Sequence, residues 1–417
     1  MREAAITSAF LAAAAVLAVV ASVVAPESTA PEILSDQGEL FYPKFTDPQS
    51  ARTIEVVDYD EATASARPLK VVFERGRWVI ASSHNYPIDV GDRLVKTAAA
   101  VMDLRKDLVR SDAVQDHGQF GVIDPLDQKS PSLTGRGKRV TLRNAQGDVL
   151  ADFILGKAVE GKPGYRYLRV PDQKRTYAVK TAADPSASFA DWVNADLLRI
   201  AAANIRKVTI NSYQIDEAMG RLANLESIAL LQEKGQWKGA GGEAISAGAA
   251  RTMAAALDGL KIVDVRPKPP TLAEDLRKGE ISLTLEAAMS LRQKGFYLSP
   301  NGRLLANEGE MNVETADGLL YSLRFGEVAT SAGEVKPAAS AGENRHVLVL
   351  VNFDPQRAAK YGGDAAAGER AARELNNRFA GWYFVISGAD FQRLRPRRSE
   401  LVRNPTAEPR RTQSNTH

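Results

Sequence analysis

The residues best suited by type to do chemistry sit in a few short stretches of this 417-residue chain. The most suggestive is "GKAVEGKP", Gly156 to Pro163, which fits G-x-x-x-x-G-K, the spacing of a phosphate-cradling loop. Such a loop needs Ser or Thr after the lysine to hold magnesium, and a helix whose N-terminus faces the phosphates. Pro163 stands where the hydroxyl is needed and "GYRYLRV" continues as a strand, so a hairpin connection is expected instead. In "NEGE", Glu308 and Glu310 flank Gly309 and offer two carboxylates. General acid–base work needs two carboxylates in different environments, and calcium needs six or more oxygens. Neither is visible locally, so a turn entering a strand is expected, with Glu308 and Glu310 as candidate interaction residues. Asp124 in "FGVIDP" reads as a turn residue before Pro125.

Other chemistries are excluded by composition. The chain has no cysteine, which removes disulfides, thiolate nucleophiles and sulfur-based metal sites. His84, His117, His346 and His417 show no metal-binding spacing, and no G-x-S-x-G elbow accompanies the serines. No catalytic residue, cofactor or metal is therefore expected, and the chain does not read as an enzyme. Net charge is only +3, so nucleic acid is not an expected partner. Two basic stretches remain. "TGRGKR", Thr134 to Arg139, reads as an exposed basic turn. The C-terminal run carries Arg393, Arg395, Arg397 and Arg398, then Arg403, Arg410 and Arg411. Such a cluster is attracted to anionic lipid or an acidic protein surface, so its first four arginines join the candidate interaction residues.

From Ala4 to Ala25 the chain holds 22 consecutive uncharged residues, enough as a helix to span a bilayer. Small-x-small sites end at Ala25 and Ala30, but Pro26 and Pro31 follow them and obstruct signal peptidase. An uncleaved anchor is expected. Arg2 before the run and Glu27, Glu32, Asp36 and Glu39 after it place the body outside the cytoplasm.

Beyond a Pro-, Ser- and acid-rich stalk, the same elements occur twice. "KVVFERGRWVIA" and "IALLQEKGQWKG" are each strand, turn and strand, with Trp237 answering Trp78. Apolar residues at helical spacing follow both: Leu94, Ala98 and Val101 in one case, Ala249, Met253, Ala256 and Leu260 in the other. "DLVRSD" and "KIVDVRP" come next, then "FGVIDP" and the looser "GFYLSP". Last come the hairpins "VTLRNAQGDVLADFILG" and "NVETADGLLYSLRFG". Five elements in the same order indicate an internal duplication. The expected fold is α+β: two related lobes, each an antiparallel sheet with a packed helix, after an N-terminal transmembrane helix. The expected units are an anchor at 1–25, a stalk at 26–51, lobes at 52–203 and 204–355, a C-terminal helix and strand at 356–395, and a basic disordered tail at 396–417. Counting back from Gly156 and Gly326 pairs Phe153 and Leu155 with Leu323 and Phe325. A short helix is expected over Phe189–Leu198, and another over Ala365–Phe379.

"RGRWVI", "YPID", "FGVID", "FADWVNADLL", "LANEGEMNVETADGLLYSLRFGE" and "RFAGWYFVIS" together resemble a bacterial family, domain-of-unknown-function family 4340, across roughly residues 70 to 395. The resemblance implies a membrane-anchored, extracytoplasmic body that accompanies ABC-transporter components of the gliding-motility type, and it implies no reaction. The expected partners are the membrane, through the N-terminal helix, and an ABC-transporter permease or auxiliary subunit. The expected function is that of an accessory or scaffold protein of the inner membrane. The alternative is a module that binds envelope glycan or lipid in a groove between lobes.

Overall fold

The computed structural model describes residues 36–88, 93–216, 221–278, 284–299, 302–329 and 343–402. The apolar run Ala4–Ala25 lies outside them. Among the described residues, no helix is long and apolar enough to cross a membrane.

The chain is α+β and dominated by two large antiparallel sheets. In its first half the β-branched, alternating segments form β1 (Thr53–Asp60), β2 (Ser65–Glu74), β3 (Arg77–Ile80), β4 (Tyr86–Ile88), β5 (Leu108–Ser111), β6 (Lys138–Arg143), β7 (Val149–Ala158), β8 (Tyr165–Arg169) and β9 (Thr176–Lys180). These lie in the order β4-β3-β2-β1-β6-β7-β8-β9-β5. The second half adds β10 (Ile205–Asp216), β11 (Arg221–Glu233), β12 (Gln236–Gly239), β13 (Ile262–Pro267), β14 (Phe296–Leu298), β15 (Leu304–Ala306), β16 (Glu310–Thr315), β17 (Leu319–Val328), β18 (Arg345–Phe353) and β19 (Trp382–Ile386). Its large sheet runs β12-β11-β10-β16-β17-β18-β19-β13. Apart from β4 the two orders correspond strand for strand, with the late β5 and β13 each closing an edge. The second sheet repeats the first.

The repeat extends to register. The β2–β3 hairpin turns on Arg75-Gly76 and the β11–β12 hairpin on Lys234-Gly235, all with positive φ, the backbone that two-residue hairpin loops require. Val140 lies opposite Phe153, and Met311 opposite Leu323. Phe153 and Leu155 therefore do correspond to Leu323 and Phe325, and all four are buried in the main core. Both strands bulge after the last of these residues, at Gly156 and at Gly326. The reason is a close approach. A Cβ on Gly156 would overlap the carbonyl oxygen of Phe120, and one on Gly326 that of Lys294. Each glycine lets the loop ahead of the hairpin lie directly on the sheet, which makes "FGVID" from Phe120 and "KGFYL" from Lys294 structural counterparts.

Helices α1 (Arg93–Met102) and α2 (Ala247–Asp258) make equivalent crossovers to β5 and β13. Each buries a stripe at helical spacing, Leu94, Ala98 and Val101 in α1 and Ala250, Met253, Ala254 and Leu257 in α2. The second repeat adds α3 (Pro270–Lys278), α4 (Leu285–Gln293) and the β14–β15 hairpin, which sequence periodicity did not indicate. These cover the other face of the second sheet around Leu272, Leu291, Phe296, Leu348 and Tyr383.

Several boundaries differ from expectation. Residues 36–51 belong to the body rather than to a stalk: Phe45 is buried, and the Tyr42 hydroxyl donates to the carbonyl of Asp152 at 2.6 Å. The helix expected at 189–198 is a single turn, Phe189–Asp191, because Ser186 and Asp196 accept the backbone N–H groups of Ser188 and Arg199. Helix α5 (Ala365–Ala380) matches expectation, but β19 after it fits between β18 and β13, so residues past 355 complete the second sheet. Residues 396–402, expected to begin a disordered tail, are folded. Helices α6 (Gly388–Leu394) and α7 (Arg398–Leu401) bury Leu394 and Leu401, and Ser246 N–H donates to the Leu401 carbonyl at 2.7 Å.

The sheets meet at an aromatic junction where Tyr86 packs edge-on against Phe189 and Trp382. Beside it the Arg378 guanidinium donates to the carbonyls of Asn194, Asp196 and Leu197. Core residues of the two sheets form one continuous cluster.

Replacing Phe153 or Phe325 by Ala should cost about 3–5 kcal/mol in urea unfolding. Gly156→Ala and Gly326→Ala should each cost about 1–3 kcal/mol through overpacking. Gly381→Ala, where no atom lies near the added methyl, should be close to wild type. Equal midpoints for all of these variants would dissociate the hairpins from the core.

Candidate functional site

The residues singled out by sequence do not converge on one centre. Glu308 accepts from Arg345 at 3.3 Å and from Arg395 at 2.9 Å, so two of the candidates do meet, as an ion pair fastening α6 to the sheet. Both guanidinium groups also stack on Phe391. Glu310 is only 3% exposed and accepts from Asn211 at 3.0 Å and from Arg303, with Arg324 nearby at 3.8 Å. Arg393 pairs with Asp390 on its own helix, and the Arg397 N–H is capped by Glu400. Arg398 donates to the carbonyl of Ser227 and to Glu243. The described arginines of the C-terminal run thus bind the chain to itself, and Arg403, Arg410 and Arg411 lie outside the described residues.

The remaining motifs resolve in the same way. "GKAVEGKP" is the β7–β8 connection, with no helix after its lysine. Asp124 caps Leu126 N–H and pairs with Arg139 at 2.8 Å, so it is an ion-pair partner as well as a turn residue. Arg136 in "TGRGKR" is not a free basic turn, since it donates to the carbonyls of Ser132, Asp124, Asp127 and Ser130 and organises the loop. Arg139 also clasps Asp152 through two hydrogen bonds of 3.0 and 2.7 Å.

A cluster that sequence reading missed lies where the second repeat departs from the first. Asp264 and His346 flank Val385 on neighbouring strands, and Arg266 lies opposite Tyr383. Antiparallel partners share a face, so all three project to the side covered by α4 and the β14–β15 hairpin. Lys294 caps the C-terminus of α4 above them. His84 reaches in from the first repeat, on a turn where both His84 and Asn85 have φ of 57°. The Arg266 guanidinium donates to Asp264 and to the Val265 carbonyl.

The electrostatics of this cluster are unfavourable to its bases. Burial, then Lys294 and Arg266, lower the His346 imidazole from 6.5 to about 3. Burial and Arg266 depress the Lys294 amine. Burial also lowers His84, followed by Arg266, with Asp264 opposing and Lys294 adding to the depression. Nδ1 of His346, a residue 4% exposed, is buried without a hydrogen-bond partner.

The first repeat supplies the reference. Register equates His346 with Tyr167 and Asp264 with Leu108, and the glycine contact equates Lys294 with Phe120. Phe120 and Tyr167 pack ring on ring at 4.6 Å. The second repeat has replaced an aromatic pair by an amine and an imidazole. The buried Lys268 differs from them in being fully engaged. Burial lowers its amine to about 7, yet it donates to the carbonyls of Phe379 and Trp382 at the C-terminus of α5.

Residues 78–278 match the model of the family described as Domain of unknown function (DUF4340). The chain resembles that family. The matched stretch runs from β3 through β13 to the end of α3, so it crosses from one repeat into the other, and it is shorter than the 70–395 expected. No curated protein and no solved structure matches the chain.

Because the His346 pKa is lower folded than unfolded, the unfolded chain gains a proton first as pH falls below about 6.5, and stability declines from there toward pH 3. His346→Tyr should remove about 1–2 kcal/mol of the loss between pH 7 and pH 5. Parallel urea midpoints for wild type and variant over that range would show that His346 titrates normally.

Proposed function

We propose that this protein is a membrane-anchored, extracytoplasmic accessory or scaffold protein that works with an ABC-type transport system. The observation that carries the reading is the 22-residue uncharged run at Ala4–Ala25, followed by a body built from one sheet plan used twice. Two-lobed bodies of this kind present broad sheet and helix surfaces to partners. The carboxylates and arginines that sequence offers as chemistry are engaged in holding these sheets together. The resemblance to the family supports the placement at the inner membrane, and the transport link rests on that resemblance.

A second reading, a module that binds envelope glycan or lipid, is favoured by one observation. The cluster of Lys294, His346, Arg266 and His84 combines residues from both repeats at a place where the first repeat is apolar.

In cells, the full chain should sediment with membranes and resist carbonate and high-salt extraction, because burial of an apolar helix is insensitive to screening. Crosslinking in intact cells should then recover a permease or auxiliary transporter subunit. A soluble mature chain beginning at Pro26 or Pro31 would overturn the anchor, and recovery of glycan-processing proteins alone would favour the second reading.

A further inference from the structure

We propose that Lys294, Arg266, His84 and His346 form a binding site for an oxyanion group, a phosphate or carboxylate carried by a ligand, at the junction of the two repeats. The inference goes beyond the accessory reading and does not depend on the anchor or the transporter.

Where β8 and its overlying loop bring Tyr167 and Phe120 together, β18 and its loop set His346 near enough to Lys294 for the ammonium to depress the imidazole beyond the effect of burial. Ser111 and Leu108 on the edge strand become Arg266 and Asp264. An apolar solution to the same packing problem exists in the same molecule, and it costs no desolvation of charge. The polar replacement destabilises each of its bases unless something compensates it.

The sign and geometry of the cluster identify the missing partner. Among the described residues, two cations and two imidazoles face one carboxylate, Asp264, to which Arg266 donates. A metal ion would be repelled by Arg266 and Lys294, and the described residues contain no group of His, Asp and Glu suited to hold one. An anion would accept from the Lys294 ammonium and from His346, whose buried Nδ1 has no hydrogen-bond partner. It would also offset the repulsion from Arg266 that adds to burial in depressing Lys294 and His84. His84, exposed on its left-handed turn, and half-buried Lys294 are within reach of solvent, whereas His346 is buried. Neither histidine would be a catalytic residue in this role. They complete a cationic cluster to which the second repeat contributes Lys294, Arg266 and His346 and the first repeat His84.

The test uses the full-length protein labelled in its histidine rings, titrated at pH 7 with inorganic phosphate or with acetate against sodium chloride at constant ionic strength. Imidazole nitrogen shifts of His84 and His346 should move saturably, while His117, whose Nε2 is engaged by the Lys174 carbonyl, stays fixed. Response to phosphate alone assigns a phosphate-bearing ligand, and response to acetate assigns a carboxylate-bearing one. Lys294→Phe should weaken the response about tenfold or more, the effect of losing one charge-assisted hydrogen bond. Since that variant touches the sheet, exposed His84→Ala provides a second check, weakening binding read at His346 with the fold intact. No saturable shift with either anion, or equal responses in wild type and Lys294→Phe, would overturn the proposal.

Discussion

The contact on which the rest of the structure depends is the seating of a loop carbonyl on a strand glycine, made once in each repeat. Gly156 admits the backbone of Phe120 and Gly326 that of Lys294, at distances no side chain would tolerate. The contact forces the bulge in β7 and β17, ends their pairing with the next strand for one step, and fixes the loop above β8 or β18. With the loop fixed, whatever occupies position 120 or 294 must lie over position 167 or 346. One backbone constraint therefore produces an aromatic pair in the first sheet and an amine above an imidazole in the second.

The duplicated plan is conservative in backbone and permissive in side chains. Position 139 of the first repeat is an arginine held by Asp152 and Asp124, and its counterpart, Glu310, is a carboxylate held by Arg303 and Arg324. Across the next strand pair, Ile154 faces Arg169 in one sheet and Arg324 faces Leu348 in the other, so the largely buried guanidinium has changed sides. What must persist is one balanced charge beneath the loop, since burying either sign alone costs several kcal/mol. The Lys294 cluster breaks that balance, which marks it as a site rather than another variant of the packing.

Sequence periodicity made the strands legible because alternation and β-branching coincide with hairpin turns. "RGRW" and "KGQW" announce the same turn, and Phe153, Leu155, Leu323 and Phe325 follow from counting back from a glycine. Helices α3 and α4 escaped because Leu272, Ala273 and Leu276 in one, and Ala287 and Leu291 in the other, give only three and two buried positions against mostly polar neighbours. The C-terminal arginines suggested a solvated tail, since composition does not reveal that Leu394 and Leu401 anchor them or that Glu308 and Glu243 stand opposite. The cluster was hidden for a different reason. Its members are scattered from residue 84 to residue 346, and only strand order brings them together. A signal did exist in the aligned repeats, where Lys294 stands against Phe120 and His346 against Tyr167.

The central claim is that the second repeat gave up stability at an otherwise apolar position to create this cluster. It is tested most directly by restoring the first repeat's residues, Lys294→Phe with His346→Tyr, and measuring urea unfolding of the full chain at pH 7 without added phosphate. The account predicts a double variant more stable than wild type by about 1 kcal/mol or more, because a half-buried ammonium and a buried imidazole nitrogen without a hydrogen-bond partner give way to packed aromatic surface. A double variant as stable as wild type, or less stable, would contradict it and make the amine and imidazole part of the fold's own packing.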